Sequence, residues 1–264
     1  MPALARPALA LFLAASASFV LAQATDKKVQ AEPAFEPHSG QAGKDVVWVP
    51  TPQALVDRML DMAKVTKRDF VVDLGSGDGR TVITAAKRGA RAMGVEFNPD
   101  MVALSRENAG KAGVAKKAKF VRGDFFKTDF SKASVVTMFL LPDINLKLRP
   151  KLLKMRPGTR IVTNSFTMDD WEYDEKQTVT PEQGCQATWC TAYLWIVPAQ
   201  VAGHYALPQG ELELKQSFQK LSGTLTSEGR TQAIEGKVCG REVTITTGGK
   251  TWRGRMNGRK LELS

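Results

Sequence analysis

From residue 70 onward, short apolar runs alternate with stretches of helical period. Residues 70–74 (FVVDL) are an apolar run holding a single acid, and 81–88 repeats apolar positions at helical spacing. A second strand is predicted over 91–96 and a second helix over 100–112, with Asn98 or Pro99 at its start. A third strand at 118–123, a fourth at 134–141, a helix at 145–155 and a fifth strand at 159–164 continue the pattern. The apolar segment 193–197 is a further strand able to close the sheet. Strands separated by helices of this length need crossover connections, so the expected class is α/β, a doubly wound and mostly parallel sheet covered on both faces. Ahead of it, order is expected from 46–49. Thr51 is placed to cap a helix with Pro52 at its first position, and Leu55, Met59 and Met62 share one face of 53–63.

After Pro198 the period changes to two. Residues 211–263 alternate polar and apolar positions, interrupted by Gly229, Gly236, Gly240, Gly248-Gly249 and Asn257-Gly258. These are hairpin signals, so a small C-terminal antiparallel β meander of four or five strands is expected. It offers no obvious chemistry: one cysteine, no histidine beyond His204 and no acidic cluster.

The first residues are of another kind. Arg6 precedes an apolar, small-residue run over 7–22 that ends in Val20-Leu21-Ala22, the layout of a secretory signal. The run is shorter than the roughly twenty residues a spanning helix needs, with an uncleaved membrane anchor as the alternative. The expected organisation is therefore a signal peptide or anchor at 1–22, a flexible leader at 23–45, the α/β domain at 46–198 and a small β-rich domain at 199–264. Export to the periplasm or anchoring in the inner membrane follows.

A chain of 264 residues, 43% hydrophobic and 24% charged, suits one full-size core with an appendage. Its net charge of +10 favours acidic partners such as nucleic acid, anionic lipid or an acidic protein surface, or serves solubility alone. The basic clusters 111–122 and 147–160 could track phosphates. However, Lys147, Arg149, Lys151 and Lys154 fall at mixed helical phases with no aromatic strip beside them, which favours a solvated face. Cys185 and Cys190 are close enough to staple a loop in an oxidising compartment, leaving Cys239 spare; they serve equally as small apolar residues. Without a nearby histidine pair they make a poor zinc site, and His38 and His204 stand alone.

The chemistry is concentrated in 71–80 (VVDLGSGDGR). Gly75, Gly77 and Gly79 alternate with Ser76 and Asp78 between a strand and a helix. The dinucleotide fingerprint needs a small residue where Arg80 stands, and the Gly-Lys-Ser/Thr of a phosphate-cradling loop is absent. Asp73, just before the turn, is poorly suited to pyrophosphate and well suited to a cation. Glu96 ends the second strand 23 residues later, where a carboxylate accepts from ribose hydroxyls. After the third strand, Asp124 is placed to accept from an adenine amino group and Phe125 to stack on the ring.

Together these segments resemble the class I, seven-strand methyltransferases over roughly 46–197. VVDLGSGDGR, GVEFNPDMVALSREN and VVTMFLLPDINLKLRPKLLKMRPGTRIVT are further similar to bacterial secreted-type relatives of the lysine methyltransferases of ATP-synthase c-subunit and adenine nucleotide translocase. The resemblance implies S-adenosyl-L-methionine as cofactor, held by Asp73, Gly75, Ser76, Gly77, Gly79, Glu96, Asp124 and Phe125, and methyl transfer to a protein lysine. The meander lies outside it. Asp143, after the fourth strand, is a candidate to orient or deprotonate the amine, or simply starts a helix. The segment 48–51 is a candidate lid, and Asp169-Asp170-Trp171 either meets a cationic lysine or forms a surface loop. The Asn/Asp-Pro-Pro-Tyr/Phe signature of adenine and glutamine methyltransferases is absent. A nucleic-acid methyltransferase and a non-catalytic cofactor-binding envelope protein are the alternatives. Export would remove the chain from the cytosol, where this cofactor is made.

Overall fold

The computed structural model describes residues 1–3, 35–208 and 210–264. The expected signal or anchor beyond its first three residues, and the leader as far as residue 34, lie outside the described residues. Residues Phe35–Ser264 form one compact unit that carries two sheets.

The first sheet contains β1 (Phe70–Leu74), β2 (Arg91–Glu96), β3 (Ala118–Arg122), β4 (Val135–Met138), β5 (Arg160–Asn164), β6 (Glu175–Thr178) and β7 (Thr191–Ile196). Their order is β3-β2-β1-β4-β5-β7-β6. The strands β1 to β5 run parallel, whereas β7 returns antiparallel to β5 and β6 pairs antiparallel with β7. Four helices cover it: α1 (Gln53–Met62), α2 (Arg80–Lys87), α3 (Pro99–Lys111) and α4 (Pro142–Leu152). Leu55, Met59 and Leu60 of α1 and Val82, Ala85 and Ala86 of α2 pack on one face with Val71. Leu148 and Leu152 of α4 pack on the other with Val72 and Leu74, as the period-two alternation of β1 requires. Chain order reverses between β1 and β4, which opens a crevice beyond their carboxyl ends.

Several boundaries differ from expectation for local reasons. Thr51 does not cap α1: Pro52 is the N-cap residue and no side chain caps it. Thr51 instead accepts from Asn164 Nδ2 at 3.3 Å through its hydroxyl and from Arg80 Nη1 at 2.9 Å through its carbonyl. Asn98 does cap α3, accepting from the Asp100 amide at 2.8 Å. The helix α4 begins at Pro142, ahead of its first buried residue Ile144, because proline needs no backbone donor at a helix start. The strand β6 (EKQT) escaped prediction because an outer strand of polar composition carries no apolar alternation.

The second sheet is an antiparallel meander of seven strands rather than four or five: β8 (Gly203–Leu207), β9 (Gly210–Ser217), β10 (Lys220–Ser227), β11 (Arg230–Cys239), β12 (Glu242–Thr247), β13 (Lys250–Asn257) and β14 (Lys260–Leu263). Gly236 does not break a strand; it pairs with Leu221 and Ile245 inside the ladder. The turn between β9 and β10 has no glycine, Phe218 itself taking φ +52°. That turn docks the meander on the first sheet. Phe218 stacks on Trp171 at 6.0 Å, Gln219 Nε2 donates to the Glu172 carbonyl at 2.7 Å, and Lys237 pairs with the nearly buried Asp174 at 2.7 Å.

Cys185 and Cys190 form a disulfide and Cys239 is a free, exposed thiol. Among the described residues no group of three His, Cys, Asp or Glu is placed to hold a metal. Among them, too, no helix is long and apolar enough to cross a membrane.

Candidate functional site

A cleft of about 970 Å³, partly open to solvent, lies beyond the carboxyl ends of β1 to β4. Asp73, Gly75 and Ser76 come to it from β1, Glu96 and Phe97 from β2, Gly123 to Phe125 from β3, and Met138 to Leu140 from β4. The segment 41–51 crosses as a strap and completes the wall.

Asp73 is buried, and Thr137 Oγ1 donates to it at 2.6 Å. Burial, reinforced by the charges of Asp78 and Glu96, raises its pKa from 3.8 to about 7 against the Thr137 and Thr81 hydroxyls. The turn that follows is held by β2, the amides of Gly75 and Ser76 both donating to the Val95 carbonyl at 2.9 and 3.1 Å. Gly77 has φ +52°, and a Cβ there would sit 2.3 Å from Trp48 Nε1 of the strap. Gly79 is the left-handed N-cap residue of α2, where a Cβ would meet the Phe120 ring at 2.7 Å. Arg80, the residue that argued against a dinucleotide, forks onto Asp78 at 2.6 Å and ties the strap through Thr51.

Glu96 accepts from two backbone amides, Gly77 at 2.9 Å and Asn98 at 2.9 Å, so it couples the two strand-end turns. Asp124 accepts from the Phe126 amide at 2.8 Å and pairs with Lys44 of the strap at 2.8 Å. The hydrogen bond from Lys44 leads the causes that hold the Asp124 carboxyl below the usual range. Phe125 lines the cleft but is nine-tenths buried, its ring 4.8 Å from that of Phe126. The exposed aromatic is Phe97, 45% accessible, with the Lys44 ammonium 5.3 Å from its centroid. Phe97 was missed from sequence; its signal is an aromatic immediately after a strand-end acid.

Other candidates stand elsewhere. Asp143 is exposed in the first turn of α4, outside the cleft lining, where an acid complements the helix dipole. Trp171 is fully buried between Trp195 and Phe218, so it cannot meet a lysine, and Asp170 pairs with Arg149. The basic cluster of α4 is partly structural. Lys151 donates to the carbonyls of Phe126 and Thr128 at 3.1 and 2.6 Å, and Arg149 to that of Met168 at 2.8 Å.

The donor set fits a cationic adenosyl ligand. Five carboxylates line one cleft, Asp45, Asp73, Asp78, Glu96 and Asp124, against two basic side chains, of which Arg80 pairs with Asp78 and Lys44 with Asp124. Ser76 Oγ is buried without a partner and packs against Gly94 of β2, so the turn offers the cleft its backbone rather than this hydroxyl. A pyrophosphate would meet repulsion from Asp73 instead.

A family model described as the ANTKMT methyltransferase domain matches residues 73–175. A protein-lysine N-methyltransferase of Saccharolobus islandicus is 44% identical over 155 residues, 58% of this chain and 94% of that protein. The mouse lysine N-methyltransferase of the ATP synthase c-subunit is 37% identical over 143 residues, 54% of this chain and 56% of its own length, so the chain spans little more than half of it. Among solved structures, an RNA methyltransferase from Salinibacter ruber in complex with S-adenosyl-L-homocysteine is 44% identical, with a TM-score of 0.53 over 58% of this chain and 96% of that one. The sheet order, the acid-lined cleft at its switch point and the near-complete coverage of the Saccharolobus islandicus relative agree: the chain belongs to the family of S-adenosylmethionine-dependent methyltransferases that includes these protein-lysine N-methyltransferases.

Proposed function

We propose that the chain transfers methyl groups to the side-chain amine of a protein lysine, with the cofactor held by Asp73, Gly75, Ser76, Gly77, Gly79, Glu96, Asp124, Phe125 and Phe97. The observation that carries the lysine acceptor is the 44% identity to a protein-lysine N-methyltransferase covered over 94% of its length. When bound, S-adenosylmethionine would supply a sulfonium-activated methyl carbon open to in-line attack by an amine, with the thioether of S-adenosylhomocysteine as leaving group.

The chain's own residues bind and orient. Asp73, ionised on meeting a cation, balances positive charge at a nearly buried position of the cleft wall. Glu96 has lone pairs left for ribose hydroxyls after accepting two amides. Asp124 is available to an amino group once Lys44 lets go, and Phe97 offers a ring face beside it. The strap 41–51 walls the cleft and is clipped at its Asp124 end by Lys44.

A nucleic-acid acceptor is the second reading, favoured by the Salinibacter structure, described as an RNA methyltransferase. The involvement of Lys151 and Arg149 in intramolecular contacts weighs against a phosphate-tracking strip on α4. Work outside the reducing cytosol is supported by the Cys185–Cys190 disulfide. Fractionation with a thiol-trapping reagent tests this: an oxidised pair in the envelope fraction agrees, and a reduced pair in the cytosol contradicts it.

The acceptor class is tested by incubating the full chain with methyl-labelled cofactor and cell fractions. Label that survives nuclease and is released by protease supports protein methylation. Label removed by nuclease alone overturns it.

A further inference from the structure

Three aromatic rings converge at the carboxyl edge of the first sheet beside the cofactor cleft. Phe139 follows β4 and lines the cleft. Phe166 follows β5, and Trp189 comes just before β7, whose start pairs with the end of β5 through Asn164 and Ala192. The centroids are 6.1 Å apart for Phe139–Phe166, 6.2 Å for Phe139–Trp189 and 5.9 Å for Phe166–Trp189. The cluster is not closed into the core: Trp189 is 38% exposed and both phenylalanines are half-buried.

Two of the rings are held in place by separate devices. Cys185 and Cys190 are both buried and disulfide-bonded, with the exposed residues 186–189 between them, so the bridge fixes the base of the loop that presents Trp189. Phe166 follows Ser165, a non-glycine residue at φ +61°. Its carbonyl accepts from the buried Thr163 hydroxyl at 2.6 Å, and the Ser165 amide donates to the Thr191 carbonyl at 2.7 Å. Backbone strain of this kind is kept where the surroundings enforce it, often at ligand sites.

Among the described residues, Phe70, Phe97, Phe130, Tyr193 and Phe218 each carry a Lys or Arg over the ring, and none of these three does. No described side-chain cation competes for them, and Trp189, the most exposed of the three, offers the open ring beside the stacked Phe139 and Phe166.

We propose that Phe139, Phe166 and the disulfide-positioned Trp189 form an aromatic subsite that holds the acceptor's alkylammonium side chain at the mouth of the cofactor cleft. It rests on the lysine reading above and adds the residues that select the side chain. Trp189 lies outside the segment 73–175 matched by the family model. A quaternary or methylated ammonium gains from ring faces through its charge, whereas a neutral group of the same shape gains only by burial.

The experiment is an NMR titration of the oxidised full chain labelled at tryptophan indole nitrogen, which gives five resonances to follow. The Trp189 signal is assigned by its loss in Trp189→Phe. Trimethyl-lysine is the probe, and its neutral tert-butyl isostere the control. The subsite predicts a saturable shift of the Trp189 resonance, with the isostere bound about tenfold more weakly. In Phe166→Leu the charged probe loses most of this advantage. A silent Trp189, or equal binding of the isostere, overturns the proposal. Labelled methyl-lysine in protein together with a silent Trp189 removes the subsite and leaves the lysine reading standing. A responsive Trp189 with label in nucleic acid alone removes the lysine reading.

Discussion

The ammonium of Lys44 lies 2.8 Å from the carboxylate of Asp124, a pair that joins residues 80 positions apart and clips the strap across the cofactor cleft. The carboxylate suited to accept an adenine amino group is therefore engaged by the protein itself. Lys44→Ala frees Asp124, and the expected result is cofactor binding about two- to fivefold tighter by calorimetry, together with faster proteolysis at 41–50 in the free protein. Weaker binding in the variant would show that Lys44 supports the ligand rather than competing with it.

Asp73 sets a pH dependence. Its pKa of about 7 means that the free protein keeps this carboxyl protonated through the mildly acidic range. A cationic ligand binds the ionised form, so affinity should fall by about tenfold per pH unit below 7 and level off above it. The sign for folding is the reverse of the usual carboxylate. The raised folded pKa costs stability as pH climbs from 3.8 towards 7, because the unfolded chain ionises first. Asp73→Asn should flatten the binding profile between pH 5.5 and 7.5 and weaken binding above 7; an unchanged slope places the titrating group elsewhere.

Gly77 and Trp48 are coupled by contact. Gly77→Ala should weaken cofactor binding by about tenfold or more, since a side chain is strained at φ +52° and collides with the indole. Trp48→Ala in the same chain should recover part of the loss by removing the collision while the backbone strain stays. Additive losses in the double variant would show that strap and turn act independently.

Beneath the sheet, Asp69 collects the Thr66 amide at 2.8 Å, the Ser134 hydroxyl at 2.8 Å and the guanidinium of Arg160, which also donates to the Ala63 carbonyl at 2.7 Å. Burial opposes ionisation here, but these donors outweigh it and lower the pKa. Arg160→Ala should cost about 3 kcal/mol in chemical denaturation by stranding a buried carboxylate. The depressed pKa gives stability that is present above about pH 4 and lost as pH falls through the folded value. A cost under about 1 kcal/mol would mean that water replaces the guanidinium.

The parallel sheet was legible because β1, β4 and β5 each carry adjacent β-branched apolar residues, Val71-Val72, Val135-Val136 and Ile161-Val162, and Gly75 to Gly79 punctuate the first turn. The cleft was legible in part, since Asp73, Glu96 and Asp124 stand at strand ends that the pattern locates. What escaped depended on distant partners. Nothing local to Lys44 announces Asp124, and Phe218 holds a glycine-like turn only because Trp171 and Arg149 pack against it. Trp171 read as a loop aromatic because Trp195 and Phe218, which bury it, reach it only through folding. Asp143 sits at a strand end by sequence, yet α4 starts at Pro142 and the carboxylate is exposed outside the cleft lining.

The most direct measurement is mass spectrometry of cell proteins methylated by the purified full chain, compared with the Glu96→Ala variant. Transfer to the ε-amine of lysine in wild type, lost with cofactor binding in Glu96→Ala, is the expected result. Modification at any other residue type, or transfer undiminished in the variant, would contradict a lysine methyltransferase built on this cleft.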